Sequence, residues 1–421
     1  MKKIGVFGSY GGSSIGDEAI LKGLLNILEE TEPSNIEVTV FTFNEEVTKS
    51  AVNDSYKFKI SYREVKSSNG GLITQNNIKK SSKNIKRYAF YLYKKLSEYS
   101  PTIAIYIEKI LRKITKKPLI NNNLAEGIDL LLIGGGNILM DLYHRWPLIM
   151  NSFVKEFSKN NKEVYFIGVG AGPIKSKYGK KVIKDITKNY YVSTRDQSSR
   201  DLLNKISNGK NKCIVGNDLA IGLLSKNNSN EKKGIGVSVI PYNEKSYWPK
   251  ADERKYKLYI LNVAKILDQF IDETGENVEF FATNHPSDVQ AAVAVTKNMK
   301  NYQQVNVNEK KMTVDELINF ISNKQFIIGT RLHSLILSLC AQTNFYAINY
   351  QPKVNYFLEE IGLGDRFIRI KDISCKDLTE KEVSNLYKNI KITYDNQTVG
   401  NVGENKKASL KREMVRLLNN E

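Results

Sequence analysis

The sequence predicts an α/β protein built from two Rossmann-like, doubly wound halves, and three observations carry that expectation. Short apolar runs such as Asp129–Ile133 (DLLLI) and Lys324–Ile328 (KQFII) are continuous rather than alternating, as strands buried on both faces of a parallel sheet are. Glycines or charged residues follow each run, and then apolar residues at helical spacing, the strand–turn–helix rhythm of α/β folds. The rhythm restarts once, after the polar stretch Leu224–Lys233. That break divides the 421 residues into an N-terminal domain expected at 1–224 and a C-terminal domain expected at 234–421.

Each element has a reason. Lys2–Gly8 (KKIGVFG) reads as a strand, and Ala19, Leu21, Leu24, Leu25 and Leu28 share one face of the helix that follows. The Gly-rich loop between them fits neither a dinucleotide fingerprint nor a Walker loop, so Gly11 and Gly12 are only generic cleft-lining candidates. Ile36–Phe43 is the next strand. Asp129–Ile133 ends in Gly134-Gly135-Gly136-Asn137, where missing side chains let a ligand or a neighbouring element approach the backbone. A helix with Asp141 in its first turn is expected there. Val164–Gly170 and Tyr191–Thr194 are strands, the second opening at Arg195 into a helix, and Lys212–Val215 leads to Gly216-Asn217-Asp218. In the second half, strands are expected at Gly234–Ile240, Asn277–Ala282, Gln304–Val307 and Asn344–Ile348. Helices are expected at Glu253–Glu273, Thr313–Ser322, Leu335–Cys340 and Val354–Ile361, with charged tail helices at Leu378–Tyr387 and Ala408–Asn419.

The formal net charge is +18, which points to nucleic acid, a membrane surface or anionic substrates. Its distribution is uneven. Residues 57–117 hold sixteen Lys/Arg and three Glu, a surplus of 13. This basic helical insertion interrupts the α/β rhythm from Val52 to Lys117. Ile85, Tyr88, Leu92, Leu96 and Tyr99 mark one helical face, and after Ser100-Pro101 a second helix carries Ile103, Tyr106, Ile107, Ile110 and Ile114 on one face. One reading is a solvated helical hairpin packed on the domain. The sharper reading is peripheral docking on an anionic membrane, where each basic residue contributes about 1 kcal/mol and Tyr suits the headgroup level. Nucleic acid ranks third, since no reader motif is present. Cys213, Cys340 and Cys375 form no disulfide framework or zinc spacing, which favours a cytoplasmic setting, with Cys340 as a small buried hydrophobe. The N-terminal apolar run is too short for a signal peptide, and no run is apolar enough to span a membrane.

The most informative stretch is Gly329-Thr330-Arg331-Leu332-His333-Ser334. Arg331 and His333 sit where a strand ends and a helix begins, the place where open α/β sheets bind ligands. A cation at a helix N-terminus opposes the dipole, and an anionic ligand would resolve the conflict. The competing reading is a satisfied core histidine beside a surface arginine. His144 and His285 lack ligand spacing, so no metal is expected.

The ordered set Gly8–Glu18 with its Ile-Gly-Asp-Glu ending, Leu131–Asp141 (LLIGGGNILMD), Ser193–Ser199 (STRDQSS), Gly216–Asp218, Gly329–Ser334 (GTRLHS) and Tyr350–Tyr356 (YQPKVNY) resembles the polysaccharide pyruvyl transferase family. The resemblance implies two Rossmann-like domains in a glycosyltransferase-B-like arrangement with the site in the cleft. It implies transfer of pyruvate from phosphoenolpyruvate to a sugar of a cell-wall, capsular or exopolysaccharide, often as a lipid-linked precursor, forming a ketal with no further cofactor. It places the family's essential arginine on Arg195, its histidine on His333 and its lysine on Lys353. The chemistry agrees. Phosphoenolpyruvate carries a carboxylate and a phosphate, which call for separated cations: Arg195 as a planar fork for one group, Lys353 and Arg331 for the phosphate. An imidazolium at His333 can protonate the vinyl carbon. Asp17 or Glu18 would orient acceptor hydroxyls, or else serve only the helix dipole; Asp218 and Asp141 carry the same pair of readings. Gly135, Gly136 and Asn137 would line the cleft. Two other functions compete: a nucleotide-sugar-dependent glycosyltransferase of the same fold, and a non-enzymatic binder driven by residues 57–117.

Overall fold

The computed structural model describes residues 1–12, 14–32, 34–52, 56–66, 95, 100–115, 118–143, 145–209, 213–224, 231–244, 248, 251–396 and 401–419. The chain forms two compact units. One comprises Met1–Gly12, Leu28–Leu219 and Glu413–Glu421; the other comprises Ser13–Ile27 and Ala220–Arg412.

The first unit holds a seven-stranded sheet, every pairing parallel. Its strands are β1 (Lys2–Phe7), β2 (Ile36–Thr42), β3 (Lys59–Glu64), β4 (Leu130–Gly134), β5 (Glu163–Val169), β6 (Tyr191–Thr194) and β7 (Ile214–Val215), in the order β3-β2-β1-β4-β5-β6-β7. The direction of winding reverses between β1 and β4, which places Gly8 and the Gly134–Asn137 turn side by side at the strand ends. β4 is buried along its whole length, as its uninterrupted Leu/Ile run requires. Below the sheet, Phe7, Phe41, Phe153 and Phe157 interlock, with Phe7 and Phe153 stacked at 4.0 Å between ring centres.

The helices of this unit are α2 (Glu45–Ala51), α3 (Pro101–Thr115), α4 (Trp146–Lys159), α5 (Lys177–Asn189) and α6 (Gln197–Ser207), joined by part of α1 (Ile15–Thr31). Two expectations change, and one open choice is decided. Residues 59–64 are not insertion but the edge strand β3, and Arg63 is spent internally, donating to the Leu124 and Glu126 carbonyls at 2.7 and 3.0 Å. Asp141 is not in a helix, since α4 begins at Trp146; its carboxylate instead accepts from the Lys175 and Ser176 amides. On α3 the apolar stripe, whose side was left open, faces outward. Ala104, Ile105, Glu108 and Arg112 are buried, whereas the Ile103–Ile114 stripe is exposed. Glu108 decides this, because it receives both Arg112 and Arg145, and a carboxylate with two guanidinium partners tolerates burial. The helix expected over Ile85–Tyr99 lies outside the described residues.

The second unit holds six parallel strands: β8 (Ile235–Ser238), β9 (Val278–Phe280), β10 (Val305–Val307), β11 (Phe326–Gly329), β12 (Asn344–Asn349) and β13 (Phe367–Arg369), in the order β10-β9-β8-β11-β12-β13. Its reversal point lies between β8 and β11. The long α7 (Glu253–Thr274) and α12 (Glu380–Asp395) close one face; Phe270 meets Phe326 and Tyr394 there. α8 (Ser287–Thr296), α9 (Val314–Ser322), α10 (Leu332–Cys340), α11 (Pro352–Glu360) and most of α13 (Val402–Leu418) complete it. Cys340 is fully buried, its Sγ 3.2 Å from the Ala220 carbonyl. No helix among the described residues is long and apolar enough to cross a membrane.

Candidate functional site

In the second unit the candidate site is assembled at the carboxyl ends of β11 and β12 by the first turns of α10, α1 and α8. β11 (FIIG) is buried throughout and pairs with β8 on one side and β12 on the other, so Thr330-Arg331 emerges at the reversal point. Arg331 caps α10 with extended backbone and no side-chain cap bond. Its guanidinium turns to Asp288 on α8, with Nε 3.1 and 2.9 Å from the two carboxylate oxygens and Nη2 2.6 Å from one of them. The Asp288 side chain is fully buried and also accepts from the Thr283 and Asn284 amides at 3.2 and 2.8 Å. The conflict between cation and helix dipole is therefore met by a carboxylate of the protein itself, 43 residues away in sequence.

His333 stands one turn-position further into α10. A Cβ placed on Gly16 would lie 2.1 Å from its Nδ1, so the imidazole packs directly on the α1 backbone. α1 is fixed there by Ile15 N donating to the Thr283 carbonyl at 3.3 Å and by a bridge between Ser14 and Asn284. The same 283–288 segment thus holds α1, Arg331 and, through Gly16, the space for His333. Next along α1, Asp17 is half-buried and Glu18 is buried. Burial pushes the Glu18 carboxyl above its ordinary value, and Lys311, with Nζ 4.0 Å away, offsets part of the rise. Lys353 lies in the first turn of α11, just past the end of β12, with its ammonium 5.7 Å from the centre of the Tyr350 ring.

The first unit gathers a second set. Arg195 follows β6 and is buried; its Nη1 is 3.3 Å from Asp218 and its Nε 3.5 Å from Asp196. Gly170 lies flat against the guanidinium, since a Cβ there would stand 3.0 and 3.1 Å from Nε and Nη2 and 2.8 Å from Asn137 Oδ1. Asn137 in turn donates to the Gly172 carbonyl. Gly135 and Gly136 both have φ in the left-handed region, 68° and 64°, which explains the glycine run. Their turn is tied down by Gly135 N to Ile167 O and Gly170 N to Gly136 O. β6 is anchored from α13, where Glu413 accepts from the Tyr191 hydroxyl at 3.0 Å. Gly11, with φ +86°, packs on the backbone of Asn44 and the Thr42 hydroxyl, a turn requirement that accounts for it without a ligand. Gly12 is exposed beside it.

Arg331, His333, Asp17, Glu18 and Lys353 therefore belong to one unit, and Arg195, Asp218, Asn137, Gly135, Gly136, Gly11 and Gly12 to the other. Gly16, Asp288, Gly170 and Lys311 were not read as site residues. Of these, Gly16 was visible inside the Ile-Gly-Asp-Glu stretch; Asp288 had only its place in the first turn of a helix after a strand. His285 bonds the Glu309 carbonyl at 2.9 Å, and His144 lies outside the described residues. No group of three or more potential metal ligands occurs among the described residues.

Two parallel, doubly wound units with charged and Gly-rich turns at their reversal points define a glycosyltransferase-B-like fold. The UDP-GlcNAc 2-epimerase of Methanocaldococcus jannaschii shares it with a TM-score of 0.56 at 14% identity, each chain covered in full. So does the Neisseria meningitidis UDP-GlcNAc 2-epimerase bound to UDP-GlcNAc, with a TM-score of 0.54 at 10% identity and full coverage of both chains. At such identities the likeness establishes the fold alone. No curated protein sequence matches the chain. The chain belongs to the polysaccharide pyruvyl transferase family, whose profile matches residues 15–352. That range contains Gly16, Arg195, Asp288, Arg331 and His333, and it stops one residue before Lys353.

Proposed function

We propose that the protein transfers pyruvate from phosphoenolpyruvate to two hydroxyls of one sugar in a cell-wall, capsular or exopolysaccharide, or its lipid-linked precursor, as a ketal. The observation that carries the reading is His333 at the start of α10, seated on Gly16 beside the reversal point of the sheet; family membership supports it. His333 delivers a proton to the vinyl carbon C3. One sugar hydroxyl adds to C2, the C2–O bond to phosphate breaks, and the second hydroxyl then adds to C2. Two hydroxyl protons are released, one replacing that of His333 and one leaving on inorganic phosphate. Lys353 holds the phosphate as a point charge. Arg331, half-neutralised by Asp288, chiefly braces the loop that seats α1. Glu18 or Asp17 receives an acceptor hydroxyl.

The decisive assay incubates the protein with labelled phosphoenolpyruvate and a panel of sugars and glycolipids. Phosphate release coupled to acid-labile pyruvate on the acceptor is expected. No release with any acceptor, together with a melting temperature raised by a UDP-sugar but not by phosphoenolpyruvate, would favour the glycosyltransferase alternative. Lys353→Ala should raise the KM for phosphoenolpyruvate about 10- to 100-fold, the worth of a charge-assisted bond; an unchanged KM removes the residue from the donor site.

A further inference from the structure

The outward face of α3 has no counterpart in the transferase chemistry. Five large apolar side chains run along it: Ile103, Tyr106, Ile107, Ile110 and Ile114, exposed by 51, 45, 36, 59 and 72%. They are contiguous, because positions three and four apart share a helical face, and a contiguous exposed apolar patch marks an interaction surface. The exposed charge on α3 itself has one sign, although Asp185 on α5 lies near Tyr178. The single acid of α3, Glu108, is buried against Arg112 and Arg145. Exposed Lys109 and Lys113 remain on the helix, and α5 packs alongside, with Tyr106 edge-on to Tyr178 at 5.9 Å and Lys109 5.3 Å from the Tyr178 ring. Partial burial lowers the Lys109 pKa, and repulsion from Lys155 and Lys181 lowers it further. A lysine cluster without exposed acids on its own helix is unfavourable alone and favourable against an anionic surface.

We propose that the α3 face docks on an anionic lipid bilayer, its isoleucines entering the headgroup boundary and Lys109, Lys113, Lys155 and Lys181 meeting lipid phosphates. This combination of apolar stripe, interfacial tyrosine and basic rim is what an interfacial helix requires. A second copy of the chain fits less well, because it would set lysines against lysines. Residues 85–99 fit less well for the same reason, carrying Lys86, Arg87, Lys94 and Lys95 against one Glu98.

The test is flotation of the full-length protein with vesicles of phosphatidylcholine, with and without phosphatidylglycerol. Binding is expected only to the anionic vesicles, weakening as salt rises. Ile110→Asp with Ile114→Asp should abolish it, and Lys109→Glu with Lys113→Glu should weaken it by at least about tenfold, both with the melting temperature unchanged because these side chains are exposed. If the isoleucine variant unfolds, the lysine variant decides. Absent or lipid-indifferent binding overturns the proposal. So does a lower melting temperature with vesicle binding intact, the signature of a face covered by the chain itself, or a wild-type dimer that the isoleucine variant dissolves and that ignores vesicles. No readout involves a sugar or phosphoenolpyruvate, so failure here leaves the transferase reading standing.

Discussion

Gly16 ties a helix rule to the candidate chemistry. Its φ lies outside the left-handed region, so alanine there meets no backbone strain and would gain up to about 1 kcal/mol of helix preference. The three nearest atoms to the new Cβ all belong to the His333 imidazole, with Nδ1 at 2.1 Å. Gly16→Ala should therefore leave the melting temperature within a few degrees while lowering kcat by about 100-fold or more, comparable to loss of a general acid. Full activity would mean that the ring position does not matter to turnover. Asp288 behaves oppositely. Asp288→Ala strands a guanidinium that is only 15% exposed, and breaking a buried pair costs about 3 kcal/mol or more. For a unit of this size that is a fall of roughly 6–12 °C in melting temperature, read by thermal unfolding; a smaller shift would mean that solvent replaces the carboxylate. Neither role could be read locally. Arg331 and His333 stood out by their place after a buried strand, but their partners lie 43 and more than 300 residues away, and only the folded sheet brings them in.

Elements were legible where burial is complete on both sides. β4 and β11 are continuous apolar runs because both faces of a parallel sheet are covered. The edge strands β3 (KISYRE) and β13 (FIR) were missed because edges carry charge and half their surface stays wet. On α3 the periodicity identified the apolar stripe but not its side, because a buried ion triad claims the opposite face. Helix starts were better marked. Thr313 with Glu316 opens α9 and Thr379 with Glu382 opens α12, each as a full capping box. Lys310 and Thr313 hold the Glu316 carboxyl down at about 2, and Lys376 and Thr379 do the same for Glu382. A folded pKa below the unfolded one gives stability that is present above about 4.5 and lost as pH falls towards 2. The double variant Glu316→Gln, Glu382→Gln should therefore show a flatter fall of melting temperature with pH over that range. Parallel curves for variant and wild type would mean that these caps do not differ between folded and unfolded chains.

Across the whole molecule, the charge of +18 has two destinations. Part of it is consumed inside the first unit, where Arg63 satisfies carbonyls and Arg112 with Arg145 neutralises Glu108. The largest surplus lies in residues 57–117, which include Arg63 and Arg112, and of that stretch residues 67–99 hold seven Lys/Arg and one Glu. The segment's flanks are secured without it: Lys66 N donates to Asn121 Oδ1, Asn121 donates back to the Glu64 carbonyl, and α3 is fastened by Glu108. Replacing 67–99 with a Gly/Ser linker should then leave a folded protein, because the described strands of both sheets and His333, Lys353, Arg195 and Asp288 all lie outside it. A transferase whose donor chemistry sits at the strand ends keeps its turnover on a soluble acceptor after this change. A binder driven by bulk charge loses its activity with the lysines, since the electrostatic contribution falls with each basic residue removed. Assaying phosphate release on a soluble acceptor separates the two: retained turnover assigns residues 67–99 a role outside the chemistry, and lost turnover in a variant with an unchanged melting temperature would move the acceptor site into the insertion.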